Sequence, residues 1–179
     1  MKKIPTIFKR NPENMKEILR LQNPAASWVF AGEGLATRKY DGTCCLISEG
    51  KFFKRREIKD GKQKPDDFIL ADSDEITGKI VGWVPVDQND KYHMEAFMDS
   101  LADGTYELCG PKVQSNPEKY ERHVLIRHET AEQYPDCPRD FDGIKNFIEN
   151  MDIEGIVFHH PDGRMAKIKK RDFGQRRAN

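Results

Sequence analysis

Lysines set close to carboxylates are the side chains in this sequence best able to do covalent chemistry. The first such group is Lys39-Tyr40-Asp41-Gly42. A lysine is a nucleophile only as the free amine, and its unperturbed pKa is about 10.4. A reactive lysine therefore needs burial or nearby positive charge to disfavour the ammonium form. Asp41 lies two residues on and shares a face with Lys39 if the strand continues, where it can orient the amine or a bound metal. Gly42 allows a tight turn and a close backbone approach. By composition, Lys-x-Asp-Gly recurs by chance in about a few per cent of chains this long, so further groups are needed to give it meaning.

Three further groups supply them. Lys167-Ile168-Lys169 puts two lysines on one face of a strand and Ile168 on the other. It follows Glu154-Gly155-Ile156-Val157-Phe158 across one tight turn, so a carboxylate and two ammonium groups share a hairpin. Thr105-Tyr106-Glu107-Leu108-Cys109-Gly110 is a third strand, with one acid in an apolar setting.

The elements that must position these residues are short. Asn11-Pro12-Glu13 predicts an N-cap and a helix carrying Met15, Ile18 and Leu19, ending before Pro24. Strands are predicted over Ser27 to Ala31 and Ala36 to Lys39, around a Gly-Glu-Gly turn. Thr43 to Ser48 and Lys51 to Ile58 form a hairpin through Glu49-Gly50. Lys59 to Asp74 reads as a loop, and Gly82 to Val86 as an extended piece. Asp90 is placed to cap a second helix with Met94, Phe97, Met98 and Leu101 facing the core. Strands follow over Thr105 to Cys109 and His123 to His128. Asp140 caps a third helix with Ile144, Phe147, Ile148 and Met151. The last hairpin joins Gly155 to His159 and Arg164 to Lys169 through Pro161-Asp162-Gly163. Hairpin-linked strands with a few helices predict an α+β domain with antiparallel sheets, a single domain over 1–179.

Composition sets limits. Lys+Arg and Asp+Glu are 30 each in 179 residues, so the net charge is zero. Nucleic acid would have to be held by a local patch, such as Lys167, Lys169, Lys170, Arg171, Arg176 and Arg177. No apolar run is long enough to span a membrane, and the start lacks the apolar core of a signal peptide, so a cytoplasmic location is expected. Cys44, Cys45, Cys109 and Cys137 form no Cys-x-x-Cys pair. A zinc site is therefore not expected, and Cys44-Cys45 read as small apolar residues on a buried strand. His123 and His128 are expected to face opposite sides of a strand, His159-His160 to be exposed, and Trp83 to lie in the core.

In order, Lys39-Tyr40-Asp41-Gly42, Tyr106-Glu107-Leu108-Cys109-Gly110, Glu154-Gly155-Ile156-Val157-Phe158 and Ala166-Lys167-Ile168-Lys169 resemble the motifs of the covalent nucleotidyltransferases. These are the DNA ligases, RNA ligases and mRNA capping enzymes. The finer pattern resembles an ATP-dependent RNA ligase group of phages and bacteria that includes a vertebrate 5′-to-3′ RNA ligase. It is carried by Lys39 to Cys45, Gly82 to Val86, His93 to Ala96 and Glu107 to Pro117. The resemblance implies an ATP-grasp-like ligase adenylylation domain with helices flanking the sheets. It implies that Lys39 takes AMP from ATP and that Arg55, or Arg56 if the match slips by one, holds the nucleotide or an RNA 5′-phosphate. Glu107 would bind the ribose hydroxyls. Glu154 and Asp41 would bind Mg²⁺ or Mn²⁺, and Lys167 and Lys169 the α-phosphate. The implied partner is RNA with 5′-phosphate and 3′-hydroxyl ends, joined in three steps through lysyl-AMP, as in RNA repair. DNA ligases and capping enzymes usually carry arginine where this chain has Cys44, and an oligonucleotide-binding domain after the last motif. Here only ten residues follow Lys169. A minimal DNA ligase and a non-catalytic nucleotide- or RNA-binding module are the alternatives.

Overall fold

The computed structural model describes residues 3–75 and 78–177. Met1 and Lys2 of the basic start fall outside them. Strands β1 (Phe8–Arg10), β2 (Ile18–Gln22) and β3 (Leu35–Lys39) come first, with helix α1 (Ser27–Phe30) before β3. Then follow β4 (Thr43–Ser48), β5 (Lys51–Ile58), β6 (Ile69–Ser73), β7 (Ile80–Pro85), α2 (Lys91–Ala96), β8 (Gly104–Cys109) and β9 (Val124–Arg127). Helix α3 (Phe141–Glu149) precedes the closing strands β10 (Gly155–His159) and β11 (Met165–Lys169). The fold is α+β, and its sheets are antiparallel. The chain forms two compact units, Ile4–Tyr40 with Ala131–Asn179, and Met1–Lys3 with Asp41–Thr130. They are called here the lysine unit and the large-sheet unit.

The lysine unit holds a three-stranded sheet in the order β11-β10-β3. Ala36, Ile156, Phe158, Ala166 and Ile168 alternate onto one face and are fully buried, in one cluster with Ile144 and Ile148 of α3. Each isoleucine and Phe158 contributes about 1.5–3 kcal/mol by leaving water, and each alanine less. Asp140 caps α3 as expected, its carboxylate accepting the Gly143 N–H at 2.8 Å. Both sheet edges are covered. The Ile7 N–H donates to the Lys167 carbonyl and the Lys167 N–H to the Pro5 carbonyl, while the Tyr134 N–H donates to the Ala36 carbonyl.

Two expectations fail in this unit. No helix follows Asn11; β1 and β2 form a hairpin there, and Met15 is exposed. The Asn11 and Asn14 side chains accept the N–H groups of Glu13 and Lys16, closing local turns instead of capping a helix. The helical turns come at the second Asn-Pro pair. Asn23 accepts the Ala25 N–H, Pro24 opens a 3₁₀ turn, and α1 replaces the strand expected over Ser27 to Ala31. This turn buries Ala26, Trp28 and Val29, apolar content that the segment after Asn11 lacks.

The large-sheet unit is built on six strands in the order β6-β7-β5-β4-β8-β9. The β4–β5 hairpin turns at Glu49 and Gly50, both at positive φ, as its two-residue loop demands. One face carries Cys45, Ile47, Phe52, Tyr106 and Leu108, packed with Ala96, Phe97 and Leu101. Part of the region read as a loop is strand β6. Helix α2 is shorter than expected. Phe97 and Leu101 do face the core, but Met94 and Met98 are exposed. Asp90 makes no side-chain cap and binds Lys54 instead. No helix among the described residues is long and apolar enough to cross a membrane.

Candidate functional site

In the lysine unit the register of three strands gathers the charged residues. Gly155 lies opposite Lys39 on one side and Lys169 on the other, and Val157 lies opposite Thr37 and Lys167. Side chains two apart share a face, so Lys39, Lys167 and Lys169 project from the face opposite the core. Lys39 and Lys169 stand two strand spacings apart, roughly 9–10 Å at Cα. Gly155 leaves the space between them empty, and a Cβ there would collide with the Ile168 carbonyl and the Lys169 backbone. Glu154 fills the gap. Its carboxylate takes Lys39 Nζ at 2.5 Å on Oε2 and Lys169 Nζ on Oε1. Burial by itself would raise the Glu154 carboxyl, but Lys39 and Lys169 outweigh it and hold it below the ordinary carboxylate range.

Lys167 differs from its neighbours. Among the described residues no hydrogen-bond or ion-pair partner meets its ammonium. Burial, then the positive charges of Lys169 and Lys39, bring it down to about 8. The carboxylates of Glu154 and Asp172 offset this only in part, and a phosphate would add a further anion. The end of β11 is fixed by Asp172, which accepts the Lys169 N–H at 2.9 Å and binds Arg10 at 2.8 Å.

The large-sheet unit presents a second polar set on its non-core face. Cys44 of β4 lies opposite Glu107 of β8. Glu107 is 9% exposed. Its Oε1 accepts the Gly42 N–H at 3.2 Å, and its Oε2 lies 3.0 Å from His128 Nε2. His128 Nδ1 lies 3.0 Å from Thr105 Oγ1. Gly42 is needed here, because a Cβ would strike the Leu108 carbonyl and crowd Glu107 Cγ and Cys109 Sγ. Arg55 hydrogen-bonds the Cys44 sulfur and lies over the Trp83 ring at 5.7 Å. Alternation sends Arg56 to the opposite face, where it is exposed. Burial and the nearby Glu107 push the Cys44 thiol up to about 12, so Cys44 is not a nucleophile at neutral pH.

The residues singled out from sequence thus fall into two sets. Lys39, Glu154, Lys167 and Lys169 belong to the lysine unit, and Asp41, Arg55 and Glu107 to the large-sheet unit. Strand β3 stops at Lys39, so the shared face that a continuing strand would give Asp41 does not arise. The Asp41 N–H donates to Glu118 at 2.9 Å. The basic tail is not one patch. Lys170 is buried, its ammonium donating to the carbonyls of Glu149 and Met151 at the end of α3. Arg177 is tied to Asp152 at 2.7 Å. Arg171 and Arg176 are the exposed members.

No family model matches the chain. The chain is similar to RNA ligase 1 of Danio rerio. The two are 24% identical over 261 aligned positions, which take in 96% of this chain and 80% of that protein.

Cys45 is buried as expected, but Cys44 is half-buried on the polar face, opposite Glu107. His123 and His128 flank strand β9 instead of lying in it; His123 binds Glu95 at 2.7 Å and His128 meets Glu107. What no local spacing gave was its partner across the sheet. His159 and His160 both depart from the exposed position expected: His159 Nε2 lies 3.1 Å from Thr37 Oγ1, and the His160 ring lies against Trp28 at 5.3 Å. Trp83 is buried, as expected.

Proposed function

We propose that this protein is an ATP-dependent RNA ligase that works through AMP bound covalently to Lys39. The observation that carries the proposal is the gathering of Lys39, Lys167 and Lys169 on one sheet face, with Glu154 bridging Lys39 and Lys169 and Lys167 in direct contact with no anion among the described residues. The similarity to a protein named RNA ligase 1 along nearly the whole chain supports the same class. The order of the motifs supports a nucleotidyltransferase adenylylation fold.

In the first step the Lys39 amine attacks the α-phosphorus of ATP. A P–N bond forms, the bond to pyrophosphate breaks, and pyrophosphate leaves. Lys39 must first give up a proton, and until then its ammonium is held by Glu154 Oε2. Lys167 and Lys169 stabilise the charge that builds on the non-bridging oxygens. Glu107 binds the ribose hydroxyls through Oε2, its Oε1 being held by the Gly42 N–H, and Arg55 binds a phosphate. In the second step an RNA 5′-phosphate oxygen displaces Lys39 and takes the AMP. In the third a 3′-hydroxyl attacks that phosphate and AMP departs.

A hard divalent cation keeps most of its waters and needs only one or two carboxylates. Glu154, an anion held ionised between two lysines, fits that need, and Asp41 is the second carboxylate that the resemblance implies. Bound Mg²⁺ or Mn²⁺ would supply positive charge to the departing pyrophosphate. Cys44, at the position where DNA ligases usually carry arginine, favours RNA over DNA as substrate.

The test is incubation with α-phosphate-labelled ATP and Mg²⁺ on protein first freed of AMP by pyrophosphate, followed by denaturing electrophoresis. A labelled band is expected for the wild type and none for Lys39→Ala. Absence of label on the folded wild type would overturn the proposal in favour of a binding module. Strand joining is then read on 5′-phosphate RNA and on all-DNA nicks, and RNA is the substrate expected to be sealed.

A further inference from the structure

The large-sheet unit carries three metal-ligating side chains that lie together without any local motif. Cys44, Glu107 and His128 each offer a ligand atom, and these atoms all lie within 4.8 Å of one another. Thiolate, imidazole and carboxylate form a donor set suited to a borderline-soft divalent cation of the Zn²⁺ kind. Hard cations such as Mg²⁺ prefer oxygen alone.

The supporting contacts also fit ligation. Metal-bound histidines and carboxylates are normally held by a hydrogen bond on their other polar atom. Here His128 Nδ1 meets Thr105 Oγ1 at 3.0 Å, which leaves Nε2 for ligation. Glu107 Oε1 is engaged by the Gly42 N–H at 3.2 Å, which leaves Oε2, the oxygen beside His128 Nε2. Burial and Glu107 keep the Cys44 thiol protonated until a metal binds, and Arg55 stands beside its sulfur. Arg55 also brings a positive charge, which makes the site weaker than one walled by neutral groups. Coordination displaces the thiol proton outright. Three protein ligands leave a further position for water or an exogenous donor.

We propose that Cys44, Glu107 and His128 form a site for a Zn²⁺-class cation, and that the cation and ATP exclude one another. The exclusion rests on the ligase reading, in which Glu107 holds the ribose; a carboxylate oxygen spent on a metal is not available to a hydroxyl.

Co²⁺ is the probe. The full-length, metal-free protein is titrated with Co²⁺ and followed by the thiolate-to-cobalt charge-transfer band. A band saturating at one Co²⁺ per chain is expected. It should vanish in Cys44→Ser and persist in Cys137→Ser. His128→Ala should weaken binding at least about tenfold, and Thr105→Val, which removes only the partner of His128 Nδ1, about 10–100-fold. Circular dichroism establishes that each variant is folded. No band with the wild type, or a band that survives Cys44→Ser, overturns the site. Saturating ATP with Mg²⁺ should suppress the band. A band indifferent to ATP overturns the exclusion and leaves the site standing. Labelling of Lys39 is read separately. Label without cobalt binding sinks the metal site alone, and cobalt binding without label sinks the ligase reading alone.

Discussion

Lys167 lies on the same sheet face as Lys39 and Lys169 and is brought down to about 8 by burial and by their charges. It therefore loses its proton within an accessible pH range. As an anion-binding group it works only while protonated, so ATP affinity should fall as pH rises through about 8. Isothermal titration across that range reads this directly, and Lys167→Arg, charged throughout, should flatten the profile. Stability moves the other way. The folded pKa lies below the unfolded value of about 10.4, so between the two the unfolded chain binds more protons. The group costs stability below about 8, and the cost is relieved as the pH climbs towards 10.4. Glu154 has the opposite sign. Its depressed carboxyl contributes fully above about pH 4.3 and loses its contribution as pH falls through the lowered folded value. Glu154→Gln leaves two ammonium groups facing each other. Full burial would make that loss roughly 3–5 kcal/mol; with the pair 13–18% exposed, about 2 kcal/mol is expected in denaturant unfolding.

At the scale of elements, the site of the lysine unit depends on the β10–β11 hairpin and its pairing with β3. Gly155 sits between the two lysine-bearing strands, where a methyl group would meet the Ile168 carbonyl and the Lys169 backbone. Neither obstacle is a flexible side-chain end, so the strands must part. Gly155→Ala should cost about 1–3 kcal/mol, the usual range for overpacking, measured as a lower denaturant midpoint. It should also cut Lys39 labelling, because Lys169 moves away from Glu154. A variant as stable and as active as wild type would mean that the hairpin tolerates the shift.

Across the whole molecule, charge is balanced at 30 against 30, and the basic tail is dispersed among a helix end, an aspartate and solvent. The tail thus offers RNA only Arg171 and Arg176 as exposed cations. Each phosphate contacted on a single strand contributes roughly −0.7 to the slope of log affinity against log salt. A total slope shallower than about −3 is expected in fluorescence anisotropy with labelled RNA. Arg171→Ala and Arg176→Ala should each reduce it by less than about 1. A steeper slope would point to a phosphate-binding surface beyond the residues named above. The chain passes between its two units after Lys3, Tyr40 and Thr130, so each unit is assembled from segments distant in sequence.

The local pattern of the chain determined a good deal. The β4–β5 hairpin followed from Glu49-Gly50, the cap of α3 from Asp140, and the shared face of Lys167 and Lys169 from strand alternation with Ile168 in the core. These are decided within a few residues, by turn chemistry and by the period of a strand. Tertiary structure decided what depends on partners far along the chain. Two Asn-Pro pairs offer the same local signal, and only the one followed by buried Ala26, Trp28 and Val29 became helical. Met94 and Met98 share a helical stripe with Phe97, yet α2 ends at Ala96 and leaves both exposed. Lys170 belongs to a basic run in sequence, yet packing turns it inward to α3. Glu154 bridges Lys39, 115 residues away, because register sets Gly155 beside it. Cys44, Glu107 and His128 lie on separate elements and follow no spacing rule, because cross-strand neighbours are chosen by pairing and not by distance along the chain.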